Sequence, residues 1–478
     1  MKALLAIAAA EWRCWLRAKL ALLGALAMAV LLVATTVLTH GRTQEARAER
    51  AQSQAQAEAA FWEQPDRHPH RMVHYGHYVF RAPAPLALLD PGLDAVTGQS
   101  IFLEGHRQNT AMFAAAGASA DLGALSWLSP ALVYQLFGPL LLILLGHATL
   151  VREREAGTLA TLLAQGTPGR LLLAGKALAL GAWLLLMLLP LALGALLAQH
   201  QGEPAASAWA LVGVYGLYLS VWAALTLIAS ALFQRRSAVL VALVALWIAL
   251  NLVLPALAAN AAAQTASGLG KLETDLKMLT ELRKLGDGHN ANDPAFARLR
   301  ADLLAQYKVE RPEDLPVNLR GVVAQYAEAK LTRTLNDYAE RQMRAETAQA
   351  QALARWGWLT PALAVAEASR AVAGTDLVHH HRFLREAEAL RYDFVQSLNR
   401  LHTEALAYSD DIRRSSDAAA ERRTRVDAGH WQLLRRFEFR PDAAEARIAQ
   451  ARGPLHMLLL WFGLLLLVGL WLGGRLKP

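Results

Sequence analysis

The sequence predicts an all-α membrane protein: six transmembrane helices, an N-terminal amphipathic helix leading into the first, and a mainly helical domain outside the bilayer. Three observations carry this. Hydrophobic residues make up 54% of the 478 residues and fall in separate blocks, each near the ~20 residues that a bilayer core demands. The stretches between blocks are as charged as any soluble helical protein. The short loops also place their Lys and Arg with a consistent bias, as orientation in a membrane requires.

Residues 1–19 read as an interface helix, with Leu4, Leu5, Trp12, Trp15 and Leu16 on an apolar side and Glu11, Arg13, Arg17 and Lys19 on a polar one. Trp at such a position suits the headgroup layer. The first span is 20–38, followed by a polar insertion at 39–128. The second span is 129–150, a loop follows at 151–171, and spans three to five occupy 172–258. A second insertion at 259–454 is helical almost throughout. Leu272, Leu276, Leu279 and Leu282 keep helical spacing there, as do Phe296, Leu299, Leu303 and Tyr307. The sixth span is 455–473, with a tail at 474–478. Elongated helical hairpins standing off the membrane are the expected form of the second insertion.

Basic residues precede span one (Arg13, Arg17, Lys19), separate two from three (Arg152, Arg154, Arg170), separate four from five (Arg235, Arg236) and follow six (Arg475, Lys477). With six spans these clusters share one side, and the link between three and four has neither Lys nor Arg. Both termini are therefore expected in the cytoplasm, with both insertions outside.

Several function classes fall away. The net charge of +8 comes without a compact basic cluster interleaved with aromatics, so no nucleic-acid partner is expected. A single cysteine, Cys14, excludes an intramolecular disulfide and any Cys-x-x-Cys site. The spans contain no Asp or Glu, and Lys176 and His147 lie near cytoplasmic ends, where Lys176 can snorkel. Ion-coupled carriers commonly use intramembrane carboxylates or unwound helices, so energy is expected to enter from outside this chain. The stretch from Gly169 to Ala177 fails as a phosphate loop. It has one residue too many between its glycines and an alanine where magnesium needs a hydroxyl. Gly138, Pro139, Pro190 and Pro255 interrupt the spans, as hinges or for packing.

The loop from Arg152 to Pro168 is a charged turn (Arg152-Glu153-Arg154-Glu155-Ala156-Gly157-Thr158-Leu159) feeding a short amphipathic helix that Gly166 and Pro168 end. It resembles the loop of ABC-2-type permeases, which reads E-x-x-x-G-T-L before a small apolar helix. Glu153, Glu155, Gly157, Thr158 and Leu159 match. The resemblance implies a coupling helix that docks on a separate ABC ATPase subunit, and an interface helix (Glu11, Trp12, Arg13, Trp15) that transmits its movement. It also implies a second permease chain, as homodimer or sister. ATP and Mg would then sit on the partner ATPase, with no cofactor in this chain. The implied function is the permease subunit of an ATP-driven exporter, not itself an enzyme. The alternative is a membrane-anchored extracytoplasmic receptor or scaffold, which would need fewer spans and an output domain.

The resemblance extends to a subgroup with two large extracytoplasmic insertions. Its landmarks look like His74-Tyr75-Gly76-His77-Tyr78, Pro85-Leu86 and Asp90-Pro91-Gly92 in the first insertion. In the second they look like Leu315-Pro316-Val317-Asn318 and Ala373-Gly374-Thr375-Asp376. The outer domain would gate the exit or receive a periplasmic partner. His68, His70, His74 and His77 are the candidate metal ligands, since imidazoles bind copper or zinc. The alternative is hydrogen bonding within a Pro/Gly-rich fold, and no neighbouring acid or cysteine completes the set.

Overall fold

The computed structural model describes residues 1–112, 128–265, 270–286 and 288–477. Among them six helices are long and apolar enough to cross a membrane: Leu22–Trp62, Pro130–Glu155, Gly169–His200, Ala205–Leu232, Arg236–Ala263 and Arg452–Gly474. An elbow helix, Lys2–Arg17, precedes them. The first span belongs to a single helix, Lys19–Trp62, which runs on well past the apolar block.

Local chemistry sets the ends. Ser129 caps span two by accepting from Leu132 N at 3.3 Å, and Pro130 in the first turn has no N–H to leave unpaired. Span three ends at a turn through Gly202, whose φ of 92° suits glycine. Span five is regular to Ile248, widens into a π turn over Ala249–Val253, then resumes as Leu254–Ala263. Pro255 sits just beyond that turn, and the widened backbone accommodates its missing N–H. Gly138 lets spans two and four approach, since a Cβ there would lie 2.8 Å from Leu219 Cδ2.

The spans turn many leucines outward, among them Leu185, Leu193 and Leu467, as lipid contact requires. Several polar groups inside are paired, although Trp183 Nε1, Trp222 Nε1 and Thr226 Oγ1 are buried without a partner. Tyr218 Oη lies 2.8 Å from Gln135 O and from Asn251 Oδ1, either of which can accept its one proton, and Tyr134 donates to Met187 O at 2.5 Å.

An additional helix, Pro361–Ala373, joins this membrane core. Thr360 caps it, Pro361 opens it, and Gly374 ends it in the left-handed conformation. Its buried face (Ala364, Val365, Ala368, Val372) packs on spans four and six. The sequence marks only the two ends of this stretch, a break at Pro361 and a turn at Gly374–Thr375–Asp376, because 13 residues are too few to span a bilayer.

Two long helices, Leu319–Arg355 and Leu377–Ala405, flank this capping helix. They run antiparallel: Asn318 N donates to Thr403 O, Gln396 reaches Gln325 O, and Arg385 meets Glu340. The expected hairpin is thus present, but its two arms are joined through a helix sunk into the bundle. The far end of the Lys19–Trp62 helix and an antiparallel pair of strands, His77–Phe80 and Ser100–Leu103, pack beside these arms. Phe61, Val79, Phe394 and Trp431 are buried in that second core. Of the two apolar stripes read in the second insertion, only Phe296 is buried; Leu272, Leu276 and Leu279 stay exposed.

Candidate functional site

The loop between spans two and three is held from behind and open in front. Its start is fixed by Ser230 of span four, whose Oγ accepts from Leu150 N at 2.9 Å and Val151 N at 3.3 Å. A short helix, Val151–Glu155, then turns through Gly157 at φ 71° into a second, Thr158–Ala164. No atom lies within 4 Å of where a Gly157 Cβ would be, so conformation and not crowding requires glycine there. Thr158 Oγ1 donates to Glu153 O at 3.1 Å across the turn. Leu159 is fully buried and pins the second helix to the bundle.

Charge holds the loop to the elbow helix. Glu11 is fully buried; its Oε2 accepts from Lys176 Nζ at 2.7 Å and Arg152 Nη2 at 2.9 Å. Lys176 of span three also donates to Glu153. One cluster therefore ties the elbow, the loop and span three. It is incompletely satisfied, since Glu11 Oε1 and Glu153 Oε2 are buried without a partner. Such a cluster tolerates little loss, because removing one member strands a buried charge.

This geometry corrects three expectations. Glu11 lies on the buried face of the elbow helix, whereas Leu5 and Leu16 face outward. A helix wheel puts carboxylates toward water, and here a lysine far along the chain reverses that. Lys176 is buried and ion-paired, so it does not snorkel. Trp15 faces the bundle and not the surrounding lipid: it is buried, donates Nε1–H to Leu145 O at 2.9 Å, and packs with Trp12 and Trp183. Arg13 is exposed. Glu155 faces the opposite side of the loop, accepting from Arg236 N at 2.7 Å and Arg236 Nε at 2.5 Å. Arg154 donates to Phe233 O at 2.6 Å and to Ala231 O at 3.1 Å. The stretch tested as a phosphate loop is helical from Gly169 onward.

Lys176, Ser230 and Arg236 were missed as site residues. A lysine in an apolar helix needs a partner, and that was the available signal.

Comparison with known families decides what this arrangement belongs to. Residues 5–285 match the ABC-2 family transporter protein model. The chain belongs to the ABC-2 transporter family. It is the membrane component of an ABC transport system and a multi-pass membrane protein. Residues 271–440 match DUF3526, a domain of unknown function. No curated protein matches the chain.

In this ABC-2 chain the sequence landmarks of the two insertions meet. A Cβ on Gly92 would lie 2.3 Å from Thr375 Oγ1, so the Asp90–Gly92 step seats directly on Gly374–Thr375. Leu93 N donates to Thr375 O at 2.8 Å, Thr375 Oγ1 donates to Asp90 O at 3.1 Å, and Ser369 donates to Asp90. Beside this joint Arg447 is buried. It donates to Glu203 Oε1 at 2.5 Å, to Val372 O at 2.8 Å and to Asp442 O at 3.0 Å.

The four candidate metal ligands are divided. His68 and His402 flank Asp411, with Nε2 atoms 3.2 and 2.8 Å from its oxygens. Arg320, Arg414 and Asn318 crowd the same carboxylate, which makes it a structural hub. Burial works against the charge of Asp411, but the hydrogen bonds of His402 and His68 outweigh it and hold the carboxyl well below its usual range. His77 is buried by itself against Phe61 and Gln54, and that burial lowers its pKa to about 4. His70 and His74 do come together, with His106 and His289 as neighbours. Neither of these was proposed from sequence, because one follows the strand pair and the other lies in the second insertion.

Proposed function

We propose that the chain is the permease subunit of an ATP-driven exporter in a bacterial inner membrane, energised by a separate cytoplasmic ATPase. The observation that carries this reading is the loop helix Thr158–Ala164. It is exposed in front and hinged at Gly157 on the preceding short helix, whose Arg152 and Glu153 are charge-locked to the elbow and span three. A push on that helix is transmitted through Glu153 and Lys176 to Glu11, and through Glu155 to Arg236 at the start of span five. Two membrane elements on opposite sides of the loop therefore move with it. ATP and Mg reside on the ATPase in this reading, and a second permease chain completes the pathway. The termini and the loop face the cytoplasm, and the DUF3526 domain stands outside.

Affinity purification from native membranes tests this, with wild type beside a Glu155→Ala, Thr158→Ala double variant. An ATPase retained by wild type and lost from the variant is expected. No ATPase with wild type in mild detergent would overturn the assignment and favour an extracytoplasmic receptor.

A further inference from the structure

Four imidazoles converge where the outer domain meets the first insertion. His70 and His74 lie one turn apart on the helix Pro69–Tyr75, so both face the same way. His106 follows the second strand, and His289 lies in the turn after the helix Lys271–Leu282. One ring nitrogen from each residue lies within 4.8 Å of the others.

Protons alone cannot satisfy this cluster. His74 Nε2 is 3.2 Å from His70 Nε2 and 3.4 Å from His289 Nε2. A ring nitrogen holds either one hydrogen or one lone pair in its plane, so His74 Nε2 can complete only one of those contacts. His106 sharpens the problem. Its Nδ1 is 2.9 Å from Glu328 Oε2, and the same oxygen accepts from its backbone N–H at 3.2 Å. Glu328 is fixed in turn by Arg391 at 2.6 Å. In the neutral imidazole that pairing puts the proton on Nδ1 and leaves Nε2 as a lone pair, buried and without a partner. His106 also has φ 65°, a left-handed conformation that few residues other than glycine adopt.

A cation at the centre resolves every one of these features. We infer that His70, His74, His106 and His289 form a site for a divalent transition-metal ion, zinc by preference. Zinc–imidazole bonds of about 2.0–2.1 Å at tetrahedral angles put ligand nitrogens roughly 3.3–3.4 Å apart. The His74–His70 and His74–His289 contacts, at 3.2 and 3.4 Å, are close to that separation, whereas a square-planar ion would bring neighbouring nitrogens to about 2.9 Å. Glu328 supplies the carboxylate that orients a metal-bound imidazole through its other nitrogen. His74 and His289 are exposed, which gives an ion a route in and out. Bound metal would fasten the turn bearing His289 to the first insertion. This site is independent of the ATPase assignment.

The test uses the full chain in detergent, purified through a tag without histidine, stripped with chelator, loaded with Zn2+ and desalted. Wild type is expected to retain one zinc per chain and, with Co2+, to show the visible bands of a tetrahedral complex. His74→Ala and His289→Ala should each weaken zinc binding by roughly tenfold or more, while His77→Ala should leave it unchanged. Both variants lie on exposed positions, and unchanged melting of the stripped proteins separates lost ligation from lost folding. Equal zinc retention by wild type and the His74→Ala, His289→Ala double variant would overturn the site, as would no retention by wild type.

Discussion

The two ends of the membrane bundle use the same device for opposite purposes. At each end a buried carboxylate from one element is gripped by a basic side chain from another. At the insertion end Glu203, between spans three and four, is held by Arg447 just before span six. Each nitrogen of Arg447 reaches an acceptor, Val372 O, Asp442 O or Ser207 besides the carboxylate. At the loop end Glu11 is held by Lys176 and Arg152, yet one oxygen each of Glu11 and Glu153 is buried without a partner. A fully satisfied cluster has one arrangement. An under-satisfied one beside an open glycine hinge keeps a second arrangement within reach. The difference separates a joint built to stay shut from one built to respond.

The strongest way to break this comparison is Arg447→Met, which strands Glu203. It should destabilise the chain by about 3–5 kcal/mol, read as the largest drop in melting temperature in detergent. If the loop-end variant below costs as much, the static character of the insertion end is refuted.

Acid should act on the outer domain next. The pKa of His77 falls from its ordinary 6.5 to about 4 on burial, so between these values the unfolded chain binds a proton that the folded chain does not. Stability is therefore full above pH 6.5 and lost as pH falls toward 4, by about 3 kcal/mol. Melting curves at about pH 7 and about pH 5 should show it, and His77→Gln should shrink the difference by this one residue's share, since burial lowers His68 and His380 to about 4 as well.

Lys176→Met leaves Glu11 with Arg152, so a smaller loss of about 1–3 kcal/mol is expected. The sharper readout is coupling: ATPase stimulation in the assembled transporter should disappear while the chain still inserts. Gly157→Ala should have the smallest effect on stability, about 1–2 kcal/mol from forcing a Cβ into the left-handed conformation, again with weakened coupling. Unchanged coupling in both variants would remove the reason for calling the loop end responsive.

Much of the architecture was legible because bilayer thickness leaves a length signature that needs no tertiary knowledge. The spans follow from it, and the family was legible separately, through Glu153, Glu155, Gly157, Thr158 and Leu159. What stayed hidden depends on partners distant in sequence. Nothing near Glu11 announces Lys176, and nothing near His70 announces His106 or His289. The capping helix Pro361–Ala373 was missed for a different reason. Its small residues make a weak hydrophobic signal, and its burial comes from spans four and six closing around it.

The helix Lys19–Trp62 contains 44 residues, which at the α-helical rise makes a rod about 66 Å long. One end adjoins the elbow and the other is packed at Phe61 in the outer core. Such a rod works as a lever: a tilt of only about 5° at the elbow carries its far tip roughly 6 Å. Small displacements at the elbow thus reach the second core around Phe61 magnified, without any hinge between them.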